Sequence, residues 1–208
     1  MILKVSKLDD QKIEQLCLKG LSEVESFFDV KKPYNEPKFC LIDDRECIDY
    51  AYGTKTEAWV VGWGNGKYIF LLNPNNYEKE SNHKYTDDEY SRLIKHEVIH
   101  YFYKSLTATD NPRWLTEGLS IYLSNQLARY KQRPTKFTTF LDYYDKTDAK
   151  IYKEAGFVIG CLINKFGKDK LLVFIRKLRG NKNSEDVDKI FTEIFGVELS
   201  YTEINKLL

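Results

Sequence analysis

The chain has 208 residues, with 32 Lys and Arg against 31 Asp and Glu, 42% hydrophobic residues and four Cys. That length and apolar content suffice for one domain of two lobes, burying roughly 70% of the surface of the unfolded chain. A net charge of +1 excludes the basic excess that draws a chain onto nucleic acid or anionic lipid.

The opening MILKVSKLDDQKIEQ lacks the apolar stretch of a secretory signal, and no window reaches the ~20 uncharged apolar residues of a membrane span. Cys17, Cys40, Cys47 and Cys161 form no CxxC pair. A soluble, cytoplasmic protein with reduced, mostly buried thiols is expected.

Apolar residues at Ile13, Leu16, Cys17, Leu21, Val24 and Phe28 keep the three-and-four spacing of an amphipathic helix over 9–28. Pro33 and Pro37 break that pattern. The short aromatic or β-branched runs at 39–42, 57–63 and 67–73 predict strands, and Gly64-Asn65-Gly66 between the last two predicts a hairpin. After a polar loop, Thr86-Asp87-Asp88-Glu89 forms a capping box, in which Thr86 and Glu89 satisfy each other's N–H groups. The helix it opens runs through His96 and His100 to about Lys104, with Ile94, Val98 and Tyr101 away from the histidines. Apolar residues on two sides predict a helix that crosses the interior.

The loop TATDNP leads to Pro112 in a first-turn position and a helix through about Tyr130. Further helices are predicted at roughly 149–166, 169–179 and 184–195, stopped by Gly167, Gly180 and Gly196. A last one is opened by Ser200-Tyr201-Thr202-Glu203. Lys165, Lys168, Lys170, Arg176, Lys177, Arg179 and Lys182 alternate with Leu171, Leu172, Phe174, Ile175 and Leu178, the wet face of an amphipathic helix. The fold class is α+β: a single domain with a small β-containing N-terminal lobe, 1–85, and a helical C-terminal lobe, 86–208.

Two of the three histidines stand four apart around a glutamate, in His96-Glu97-Val98-Ile99-His100. On a helix, i and i+4 share one face, so both imidazoles reach a single ion at ~2.0–2.1 Å. Glu97 projects about 100° round the helix from His96, beside the ion rather than on it, where a base acting on water should stand. A catalytic zinc takes three protein ligands and keeps a fourth position for water. Three and six residues past His100 stand Tyr103 and Leu106, and no histidine occurs beyond His100. The third ligand is therefore a carboxylate, a Cys or an upstream histidine. Glu117 is the best placed: it opens the next helix and is flanked by Trp114, Leu115, Leu119 and Ile121. His83, in the polar loop ESNHKY, is the upstream rival.

These residues, His96-Glu97-Val98-Ile99-His100 together with WLTEGLSIY, resemble the gluzincin metallopeptidases, the peptidase MA-like superfamily that includes thermolysin. The resemblance covers about residues 57–165. It implies a zincin-like fold, zinc held by His96, His100 and Glu117, and Glu97 as general base. It further implies that Ala58, Trp59, Val60, Val61 and Gly62 lie on an edge strand that binds an extended peptide by its main chain, and that Tyr152 stabilises the tetrahedral intermediate. The partner is then a peptide or protein substrate, with no nucleic acid or membrane involved. The alternative is a non-catalytic module in which zinc braces two helices and a groove holds a peptide. A structural zinc is normally closed by four protein ligands, and only three good candidates are visible, which favours the enzyme.

Overall fold

A computed structural model of the chain describes residues 9–30, 36–146, 148, 150–180 and 182–208. The break expected at Pro33 and the helix start expected at residue 149 lie outside the described residues. The protein is mixed α+β, with a three-stranded sheet among many helices. It divides into two compact units, Met1–Tyr101 and Phe102–Leu208.

In the first unit, α1 (Gln11–Phe28) is capped by Asp10, whose carboxylate accepts the Ile13 N–H. Of the stripe its periodicity predicts, Ile13, Cys17, Val24 and Phe28 are buried, while Leu16 and Leu21 at its margins are partly exposed. β1 (Lys38–Ile42) comes next, then a short helix α2 (Arg45–Tyr52) capped by Asp44. β2 (Gly62–Asn65) and β3 (Tyr68–Leu72) form the expected hairpin, but displaced. The run 57–63 is not a strand: only its last two residues belong to β2, and the turn falls at Gly66 and Lys67, with Asn65 opposite Tyr68. Gly66, at φ 59°, supplies the positive dihedral a two-residue hairpin turn needs. β3 lies centrally, parallel to β1 and antiparallel to β2, so β2 is an edge strand.

A short helix α3 (Tyr77–Glu80) precedes α4 (Asp87–Thr107). The Glu89 N–H donates to Thr86 Oγ1 at 3.1 Å, one arm of the predicted capping box. Val98 and Ile99, adjacent in sequence and on different faces, are both fully buried, as a helix crossing the interior requires. α1 lies close along α4: a Cβ on Gly20 would stand 3.0 Å from Ile94 Cγ2, and Lys95 Nζ reaches Glu23 at 3.1 Å. Tyr90, also buried, donates its hydroxyl to the Leu72 carbonyl and so ties α4 to β3.

The second unit contains α5 (Arg113–Leu123), α6 (Ile151–Phe166), α7 (Lys168–Lys177), α8 (Ser184–Phe195) and α9 (Tyr201–Asn205). α5 stops seven residues short of the expected Tyr130, because Asn125 takes a left-handed φ of 61° and a separate turn is formed at Gln126–Arg129. α5 and α6 pack backbone to backbone: a Cβ on Gly118 would lie 2.6 Å from the Ala155 carbonyl oxygen. Trp114, Leu115, Leu119, Val158, Ile159, Phe174 and Phe191 fill the core of this unit. Leu171, Leu172, Phe174, Ile175 and Leu178 are buried while Lys170, Arg176 and Lys177 face solvent, so the part of the basic stretch that falls on α7 is its outer face.

The four cysteines are free, but only Cys17 is buried; Cys40, Cys47 and Cys161 are partly exposed, which corrects the expectation of mostly buried thiols. No helix among the described residues is long and apolar enough to cross a membrane.

Candidate metal centre

His96 and His100 stand on consecutive turns of α4, and their Nε2 atoms are 3.1 Å apart. Two donors bound at ~2.05 Å in tetrahedral geometry lie about 3.3 Å from one another. The pair is thus already at ligand spacing. The rings tilt by 55° with centroids 4.9 Å apart, so both nitrogens converge instead of stacking.

The last turns of α4 also fix the loop beyond them. Tyr103 donates its hydroxyl to the Asn111 carbonyl at 2.9 Å, Lys104 Nζ reaches Asp110 at 3.0 Å, and Thr116 Oγ1 donates back to the Asp110 carbonyl at 2.7 Å. The connection into α5 is thereby laced to both helices it joins. Glu117 comes one turn into α5 and is 2% exposed. Its Oε1 accepts Arg113 Nη2 at 2.7 Å. Ligand atoms of His96, His100 and Glu117 all lie within 4.8 Å of one another, the grouping expected from their types and spacing.

Glu97 is buried and points toward the hairpin. A Cβ on Gly62 would stand 3.0 Å from Glu97 Cγ and 3.1 Å from its Oε1, so the glycine is what lets β2 come this close. The edge itself can be read from the ladder. Leu72 donates its N–H to the Val61 carbonyl at 2.8 Å, and in an antiparallel pair the hydrogen-bonded positions alternate. Trp63 and Asn65 therefore also face β3, and Gly62 and Gly64 turn their N–H and C=O groups outward.

The remaining expected site residues divide between the stretch before β2 and the helices of the second unit. Ala58, Trp59, Val60 and Val61 precede β2 in a folded loop organised by Arg45. The Arg45 guanidinium donates to the carbonyls of Glu57, Ala58 and Val60, to the Glu80 carbonyl and to Thr56 Oγ1. His83, the rival ligand, reaches across to this loop and is not in the metal group: its Nε2 lies 3.0 Å from the Trp59 carbonyl. Tyr152 is in the first turn of α6, half-buried, with its carbonyl accepting the Tyr130 hydroxyl at 2.7 Å.

Two residues that shape the site were not anticipated from the sequence. Arg113 carried a usable signal, a cation four residues before a buried glutamate. Arg45 carried none, since its partners are backbone carbonyls. Compared with protein-family models, with curated proteins and with solved structures, the chain shows no significant match to any.

Proposed function

We propose that this chain is a zinc-dependent peptidase of gluzincin type, with a zincin-like fold. The observation that carries the reading is the convergence of His96, His100 and Glu117 within 4.8 Å, with Glu97 buried next to them in sequence. Two imidazoles and one carboxylate are a catalytic rather than a structural zinc set, since they leave a coordination position for water. A bound zinc would supply Lewis acidity, lowering the pKa of water toward ~7 and polarising the scissile carbonyl.

The chain's own residues do the remainder. Glu97 takes the proton of the attacking water and delivers it to the leaving amine. Its burial beside Gly62 keeps the carboxylate from wandering. Gly62 and Gly64 offer outward N–H and C=O groups to an extended peptide, which gives affinity that tolerates sequence. Tyr152 serves as donor to the oxyanion.

The test is Glu97→Gln. It should abolish chelator-sensitive hydrolysis of a peptide library while elemental analysis still returns about one zinc per chain. Retained turnover by the zinc-loaded variant would rule out Glu97 as the base, and a wild-type protein that binds no zinc would rule out the whole reading.

A further inference from the structure

Arg113 is out of place by the ordinary rules of helices. It is the first residue of α5, where the positive end of the helix dipole disfavours a cation. An Arg placed N-terminal to its Glu partner at i,i+4 is also the less favourable order for such a pair. Neither helix stability nor a surface ion pair accounts for it, because the partner Glu117 is almost wholly buried and Arg113 is itself mostly covered.

The fold nonetheless takes trouble to hold it there. The Arg113 N–H donates to the Tyr144 carbonyl at 2.7 Å and the Trp114 N–H to the Tyr143 carbonyl at 2.9 Å, so the helix start is pinned by a segment far along the chain. Tyr143 is held in turn by its hydroxyl on Asp148 at 2.7 Å. From that anchored start, Arg113 Nη2 reaches Glu117 Oε1 at 2.7 Å.

A carboxylate ligand can give a cation one oxygen or two. With Oε1 engaged by a guanidinium, the ion is assigned to Oε2, which is buried. Resting on the zinc reading above, we infer that Arg113 is a positioning residue that holds Glu117 as a one-oxygen ligand. It thereby preserves the coordination position that water and the substrate carbonyl would use. Without Arg113 the carboxylate would swing to give both oxygens, raising the coordination number and closing the site. Partners behind a metal ligand commonly change metal affinity by about 10–100-fold when removed.

The test replaces zinc with Co²⁺, whose visible absorption is strong at low coordination number and weak at high. Full-length wild type, Arg113→Met and Arg113→Lys are loaded and compared, with chelator competition for affinity and a thermal melt to confirm folding. Arg113→Met should keep a bound ion with roughly tenfold weaker affinity and a visibly weaker Co²⁺ spectrum. Arg113→Lys, which keeps a cation for Oε1, should retain the wild-type spectrum. If Arg113→Met fails to fold, Arg113→Gln is read the same way. A wild-type spectrum in the neutral variant overturns the inference and leaves the metal site standing. If wild type takes up no Co²⁺, or Glu117→Ala keeps the spectrum, the metal site itself falls.

Discussion

Gly62 of the edge strand and Glu97 of α4 approach so closely that a single β-carbon on the glycine would stand 3.0 Å from the glutamate's Cγ. The same atom would meet Leu93 Cδ1 at 3.0 Å, so an added methyl group would press on both side chains at once. Gly62→Ala should therefore shift the Glu97 carboxylate by a few tenths of an ångström and cut kcat/KM by ~10-fold or more, given how steeply catalysis depends on position. Zinc content should not change. Steady-state kinetics beside elemental analysis checks this, and a loss of metal would point to a wider disruption.

Removing a ligand should act in the opposite way. Glu117→Ala is expected to lower zinc occupancy directly, and His100→Ala to abolish stoichiometric binding, because two remaining donors cannot close a site that needs three. Wild type should melt at a higher temperature with zinc than without, by RT ln(1 + [L]/Kd). In both variants that zinc-dependent shift should disappear.

Glu154 predicts a stability effect remote from the metal. Its buried carboxylate accepts the N–H groups of Thr138, Thr139 and Phe140 at 2.9 to 3.1 Å. Glu154→Ala would remove these charge-assisted bonds and leave the buried Phe140 N–H unsatisfied, at a cost of about 3 kcal/mol. For a protein of roughly 200 residues that is a fall in Tm of ~6–12 °C, measurable by calorimetry on metal-free protein.

Burial pushes the Cys17 thiol up to about 12, against an unfolded value near ~8.5. The fold thus favours the neutral thiol. Its contribution to stability is complete below the unfolded pKa and is lost as pH rises from there through about 12. At pH 8, mass spectrometry after alkylation should show native protein modified at Cys40, Cys47 and Cys161 but spared at Cys17, with Cys17 labelled only under denaturant. Labelling of Cys17 in native protein at the rate of the other three would contradict its burial.

How legible each feature was depends on how local its cause is. The helix start at Thr86, the i,i+4 histidines and the α1 stripe arise from spacing within a few residues, and the structure has them as expected. Glu117 could be read because a carboxylate among Trp114, Leu115 and Leu119 demands a partner. The run 57–63 misled because its β-branched and aromatic residues look like a strand, whereas Arg45 gathers its carbonyls from elsewhere in the chain. α2 was missed because only Ile48 of its eight residues is buried, leaving no periodicity to see. The parallel pairing of β1 with β3 skips over both α2 and β2, a choice of topology that no local pattern encodes.

The folded loop before β2 has one more effect. Since Arg45 already occupies the carbonyls on that side and the hairpin turns at Gly66 and Lys67 on the other, the outward edge amounts to the N–H and C=O groups of two residues, Gly62 and Gly64. Such a track is a short ruler. It would grip one or two residues of any chain laid along it, so discrimination among substrates would have to come from side chains near the cut, and short oligopeptides should be turned over about as well as long ones.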